Sequence, residues 1–235
     1  LLALALAVTV LVSLGWGASG TSLVRALSDM LAGRELAVQD RVVLLDIRLP
    51  RILMGALVGA SLAMSGAVMQ GLFRNPLADP GIVGVGAGAG LGAILAIVLG
   101  GLLPPALSGL FGWYLVPAAA FFGGWLTTLA LYRIATRQGR TSVATMLLAG
   151  IALAAILSAV AGLLILRASD TQLRDLTFWG LGSLAGANWP KLAAAAPIML
   201  LALLYAPSLA RGLNALALGE AAAGHVGIRV QRVKS

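Results

Sequence analysis

The sequence predicts an all-α polytopic membrane protein, and three observations carry that prediction. Of 235 residues, 60% are apolar and 10% are charged, against about 25% charged in an ordinary soluble domain, and the mean hydropathy is +1.00. The 16 basic and 8 acidic side chains lie between long uncharged runs, the longest being the 53 residues from Pro80 to Tyr132. Those runs are apolar on every face and too long for the roughly ten-residue alternation that a membrane β-strand needs. The net charge of +8 would suit nucleic acid only if the cations shared one polar face; they do not, so nucleic acid is set aside as a partner. Cysteine is absent and histidine occurs once, which excludes disulfides, thiolate chemistry and a multi-histidine metal site.

A helix rises 1.5 Å per residue and the hydrocarbon core is roughly 30 Å thick, so a span needs about 20 apolar residues. The uncharged run Leu1–Thr21 supplies the first span, 1–18. It reads as a span rather than a signal peptide, because no small-x-small cleavage site leads into a soluble domain. A cytoplasmic leader is expected before it. Ile52–Phe73 supplies the second span, 52–72. The run from Pro80 holds two, 82–102 and 113–132, separated at Gly100-Gly101 and Pro104-Pro105. Thr141–Leu166 supplies 142–166 and Leu192–Ala210 supplies 191–209, with 211–235 following as a charged segment. Lys and Arg divide eight to eight between the two sides of this six-span arrangement, so the positive-inside rule does not orient it.

Small residues recur every fourth position, at Gly55 and Gly59, at Ser61 and Ser65, and at Gly84, Gly88 and Gly92. This spacing lets helix backbones approach closely where lipid offers no hydrophobic drive. Asp, Glu and His are absent from the six spans, and the one Lys, Lys191, stands at the outermost position of the last. Proton coupling and intramembrane catalysis both need such groups within the bilayer, so neither a proton-driven carrier nor an intramembrane enzyme is expected, and no catalytic residue or cofactor is assigned. The two lysines, Lys191 and Lys234, stand in no Walker A pattern; any ATP must be bound by a partner.

Between the second and third spans runs RNPLADPG, Arg74–Gly81, whose prolines end any continuous helix. It follows RLPR at Arg48–Arg51 and GASLAMSGAVMQ at Gly59–Gln70, and leads into GIVGVGAGAG at Gly81–Gly90. FWGLGSL at Phe178–Leu184 and LALGEAAAGHVGIRV at Leu216–Val230 come later. Taken in order, these strings resemble the permease subunits of type II ATP-binding-cassette importers for ferric siderophores, haem and cobalamin, and the stretch AVMQGLFRNPLADPG is most similar to haem permeases.

The resemblance implies a multi-pass protein of the bacterial inner membrane, embedded in membrane lipid with its amino terminus in the cytoplasm. It also implies ten spans per subunit, of which this chain would hold six, the carboxyl-terminal spans being missing. The expected partners are a second permease copy in a homodimer, cytoplasmic ATP-binding-cassette ATPase subunits and an extracytoplasmic substrate-binding protein. The expected cargo is an iron chelate, haem or a ferric siderophore. Cobalamin cargo and a stand-alone channel remain the alternatives.

By the same resemblance Gly219, Glu220, Ala223 and Gly227 belong to the helix that docks on the ATPase, in a segment whose Arg229, Arg232 and Lys234 suit a cytoplasmic surface. His225 is expected at a surface or contact rather than on a metal, and no metal site is assigned. Arg48 and Arg51, with Arg41 as a weaker candidate, are expected to meet acidic side chains of the binding protein, because the guanidinium fork pairs carboxylates. Interfacial anchoring to headgroups is the alternative for these arginines. Met64, Ser65, Met69 and Gln70 are candidate pathway-lining residues, the methionines offering an adaptable apolar wall or simple packing. Arg174 either steers an anionic cargo or pairs locally with Asp170 or Asp175.

Overall fold

The computed structural model describes residues 1–17, 20, 23–104 and 111–234. Residue 18 of the first expected span, Pro105 of the expected break and Ser235 of the carboxyl-terminal segment lie outside them.

Helices make up almost all of the described structure. They are α1 (Leu2–Gly15), α2 (Leu23–Leu31), α3 (Val38–Phe73), α4 (Val85–Leu99), α5 (Leu115–Ala135), α6 (Val143–Ile165), α7 (Asp170–Leu181), α8 (Trp189–Tyr205), α9 (Ala210–Ala217), α10 (Glu220–His225) and α11 (Val230–Lys234). Five helical stretches are long and apolar enough to cross a membrane: Val38–Phe73, Val85–Leu102, Gly112–Ala135, Val143–Ile165 and Trp189–Ala217. The first expected span appears as α1, an apolar helix of 14 residues.

Two expected boundaries shift. The second span was drawn from residue 52, yet its helix begins at Val38 and carries Asp40, Arg41, Asp46, Arg48 and Arg51. Charge marks where a chain leaves hydrocarbon, but Asp and Arg do not end a helix, so the backbone coils on past that point. The last span likewise runs through a 3-10 turn at Ala206–Leu209 to Ala217.

The chain divides into two compact units, Leu1–Met64 with Ser183–Ala206, and Ser65–Gly182 with Pro207–Ser235. In the first, α3 opens with a π-helical stretch at Val42–Arg48, where the Leu49 N–H bonds the Leu44 carbonyl five residues back. Pro50 follows immediately and has no N–H to give. In that register its missing donor would have met the Leu45 carbonyl, and the Trp189 indole Nε1 donates to that oxygen at 3.0 Å instead. A wider turn and a side-chain donor together let a proline sit inside a membrane helix.

In the second unit α4 and α5 pack backbone to backbone. A Cβ added to Gly88 would lie 2.6 Å from the Gly123 carbonyl oxygen, and one at Gly92 would collide with the Ala119 carbonyl. Of the fourfold spacings read from the sequence, Gly88 and Gly92 form this packing seam, whereas a Cβ at Gly59 would meet nothing within 4 Å; the buried Thr127 hydroxyl is satisfied by the Gly123 oxygen at 2.8 Å. A small core of Val83, Leu131, Ala135 and Met146 lies beside it, with Met69, Leu72 and Phe73 against it. Helix α7 opens with a capping box formed by Ser169 and Gln172. The Gln172 amide also donates to the Ile97 and Val98 carbonyls at 3.1 and 3.2 Å, closing the end of α4.

Two strands interrupt the all-helical expectation. Thr136–Arg137 (β1) and Arg140–Thr141 (β2) pair antiparallel, Thr136 opposite Thr141. Gln138 and Gly139 both have positive φ, +50° and +72°, the signature of a two-residue type I′ hairpin turn. The hairpin joins α5 to α6.

Replacing Gly88 by alanine is expected to destabilise the protein in detergent by about 3 kcal/mol, because a backbone oxygen cannot rotate away from the new methyl. Gly90→Ala is the control, since a Cβ there meets nothing within 4 Å. Thermal unfolding of the two variants checks the seam.

Candidate functional site

The carboxyl-terminal segment is built from three short helices, α9, α10 and α11. Gly219 links the first two with φ 105° and ψ 155°, a backbone region that is essentially restricted to glycine. Gly227, with φ 81°, makes the next joint. Ala223 is fully buried at the centre of α10, whereas Glu220, His225 and Gly227 are exposed. Of the four residues expected to meet an ATPase, Ala223 is thus an internal anchor rather than a contact. Leu218 and Val226, 77% and 67% exposed, flank α10 with apolar side chains that the sequence reading passed over; the signal was a large apolar residue at each end of an otherwise small-residue string.

The segment rests on three other parts of its unit. Gly71, near the end of α3, faces Leu213 so closely that a Cβ there would be 3.2 Å from it. Arg74, which opens RNPLADPG, sets its guanidinium beside Gly219. That run folds as successive side-chain-capped turns, Asn75 Oδ1 accepting from the Leu77 N–H at 2.9 Å and Asp79 Oδ1 from the Gly81 N–H at 2.6 Å. The third foothold is the β-hairpin. Gln231 Oε1 accepts from the Thr141 N–H at 2.9 Å, and Lys234 Nζ donates to the Thr141 carbonyl at 3.0 Å and to Glu220 Oε1 at 2.7 Å.

Lys234 corrects the expectation of a surface cation. Its side chain is 2% exposed, which is possible because the ammonium has a carboxylate and a carbonyl as partners; an unpaired buried charge would be prohibitive. Thr141 lies 93 residues away in sequence, so no local spacing announces the contact. Arg229 and Arg232 are exposed as expected.

In the other unit the three arginines part company. Arg48 is 8% exposed and its guanidinium donates to the Leu14 carbonyl. The last carbonyls of a helix lack intrahelical partners, and a cation there also complements the helix dipole, so Arg48 caps the end of α1. Arg51, half-buried, donates from Nη2 to the Ala185 carbonyl at 2.9 Å. Both line a cleft of about 570 Å³ with Thr9, Ser13, Trp16 and Ile47. Arg41 alone is exposed, so a docking role, which needs a free guanidinium, fits it better than Arg48.

The candidate lining residues are less uniform than expected. Met69 packs on the core cluster, Met64 and Ser65 are half-buried, and Gln70 is exposed. Arg174 is exposed on α7, and among the described residues no ion pair joins it to Asp170 or Asp175. Among the described residues no group of three or more His, Cys, Asp or Glu is arranged to hold a metal ion.

Replacing Arg48 by methionine is expected to lower stability by about 2 kcal/mol, the loss of a charge-assisted bond to a carbonyl left without a partner. Arg41→Met should leave the unfolding temperature unchanged, and thermal unfolding of both variants in detergent tests the contrast.

Comparison with known proteins bears on the whole chain. The model of the FecCD transport family matches residues 5–235. The cobalamin import system permease protein BtuC of Halobacterium salinarum is 42% identical over 194 residues, 83% of this chain and 50% of the relative. The hemin transport system permease protein HmuU of Yersinia pestis is 41% identical over 190 residues, 81% of this chain and 55% of the relative. The chain thus spans about half the length of the relatives it matches. Among solved structures, one described as an inward-facing conformation of a metal-chelate type ABC transporter aligns with a TM-score of 0.82 and 32% identity, over 99% of this chain and 68% of that one. With its membrane-length helices and a family match from residue 5 to residue 235, this chain is a multi-pass membrane protein of the FecCD transport family.

Proposed function

We propose that the chain is the permease part of an ATP-driven importer that moves an iron chelate, haem or a ferric siderophore, across the bacterial inner membrane. The observation that carries this reading is the short helix α10, preceded by a glycine joint beside Arg74 of RNPLADPG and joined through Lys234 to the hairpin between two membrane helices, in a chain of the FecCD family. A short helix that protrudes on glycine joints yet is fixed beneath to the ends of spans is suited to take up a partner's movement. On this reading that partner is a separate ATPase, and the face presented to it comprises Leu218, Glu220, Val226 and Gly227, with Gly219 and Ala223 holding the helix in place. A second permease copy completes the pathway, and an extracytoplasmic binding protein delivers cargo to a surface that includes Arg41. Met64, Ser65, Gln70 and Arg174 are the pathway-side candidates. The long uncharged runs within the spans leave the energy source outside this chain.

Cobalamin is the second reading of the cargo, favoured by a relative named for cobalamin import at 42% identity beside one named for hemin at 41%. The deciding experiment places the permease that contains this chain in vesicles with its ATPase and binding protein, and follows haem, a ferric siderophore and cobalamin with and without ATP. ATP-dependent uptake of haem or the siderophore is expected. Uptake of cobalamin alone transfers the cargo assignment, and uptake indifferent to ATP overturns the importer reading.

The apolar contact face is open to a narrower check. Leu218→Asp and Val226→Asp, at exposed positions, are expected to reduce co-purification of the ATPase by about ten-fold, a loss of roughly 1.4 kcal/mol in binding. Pull-down of the ATPase by the two variants measures it; undiminished recovery would move the contact elsewhere.

A further inference from the structure

Lys234 is the one charged side chain among the described residues whose burial and partners join three separate pieces of the second unit. Glu220, its carboxylate partner, is the first residue of α10. Thr141, its carbonyl partner, ends the hairpin that connects α5 to α6 and is 6% exposed. The Thr141 N–H is held by Gln231 from the same short helix as Lys234, so both backbone polar groups of this residue are bonded to α11. Within the hairpin the Thr136 and Thr141 hydroxyls meet at 2.9 Å, which ties the attachment to the last turn of α5.

The joints on either side of α10 are both glycines with positive φ, Gly219 and Gly227. Backbone rotation at glycine joints is less restricted than at other residues, so movement of α10 reaches the spans through whatever crosses from it to them. The Glu220–Lys234–Thr141 chain makes that crossing. Displacing Glu220 while Thr141 stays put would strand the Lys234 ammonium in a buried site with one partner fewer, which is costly; moving Thr141 along with it preserves both bonds.

We propose that Lys234 is the positioning residue that makes α10 and the hairpin between α5 and α6 move as one, so that force applied to α10 reaches the two membrane helices instead of being absorbed at the glycine joints. The inference rests on the proposed docking of an ATPase on α10 and deepens it.

The test uses the permease that contains this chain, reconstituted with its ATPase and binding protein, and measures ATP hydrolysed and haem taken up (cobalamin where the parent protein selects it). Lys234→Met and Lys234→Gln are expected to keep ATPase assembly and hydrolysis while uptake per ATP falls at least about five-fold, the lower end of ordinary coupling between sites. Lys234→Arg, which keeps the charge and donors, should restore most of that ratio. A merely architectural lysine would lower uptake and hydrolysis together and leave their ratio intact, and that result overturns the proposal. Should Lys234→Met fail to accumulate, Lys234→Gln decides alone, because its amide keeps a donor for the buried Thr141 carbonyl while giving up the ion pair with Glu220; an unchanged ratio in that variant overturns the proposal equally. A parent protein that neither assembles with the ATPase nor responds to ATP would overturn the docking reading first, and the positioning role with it.

Discussion

A backbone carbonyl or N–H in hydrocarbon has no water to bond, so each one must find a partner within the protein. That constraint explains why this chain is helical almost throughout, and it is most visible where a helix is disturbed. Pro50 withholds a donor inside α3, and the preceding turns widen while Trp189 supplies the missing bond to Leu45. The last carbonyls of α1 and α4 receive side chains from distant parts of their own units, Arg48 on Leu14 and Gln172 on Ile97 and Val98. Thr127 turns its hydroxyl back onto Gly123 within one turn of α5. Polar side chains in this protein serve the backbone before they serve any ligand.

Glycine plays two opposed parts. At Gly88 and Gly123 it removes bulk so that two helices touch along their backbones, which rigidifies α4 and α5 as a pair. At Gly219 and Gly227 it permits backbone angles that other residues resist, which lets the chain turn sharply into and out of α10. A stiff pair of spans and a hinged peripheral helix have mechanical value only when something fixed runs from one to the other. The Thr141 hairpin and the residues that grip it occupy that place, and the proposed importer role gives the arrangement a use.

How far the sequence is readable depends on the distance over which each cause acts. The spans follow from where Asp, Glu, Lys and Arg are missing, so the runs at Val85–Leu102, Gly112–Ala135 and Val143–Ile165 fall close to their expected limits. The start of α3 at Val38 was hidden because Asp40, Arg41, Asp46 and Arg48 mark the edge of an apolar run without breaking a helix. The hairpin at Thr136–Thr141 was hidden in a short polar loop, although Gln138-Gly139 is a reasonable turn pair in retrospect. RNPLADPG was read as a helix stop, and its capped turns agree.

By itself the sequence determined the solvent of this protein, the number of apolar runs, the small-residue seam and the family resemblance, because composition and short-range spacing depend only on neighbours along the chain. The tertiary structure decided which charged residues are available. Arg41, Arg48 and Arg51 look alike within an eleven-residue stretch of sequence, yet one is exposed, one caps a helix and one reaches the Ala185 carbonyl. Arg232 and Lys234 stand two residues apart, and only the lysine turns inward to meet Glu220 and Thr141. A side chain's role is settled by the partner that satisfies it, and those partners lie up to 144 residues away, brought within reach only when the helices pack.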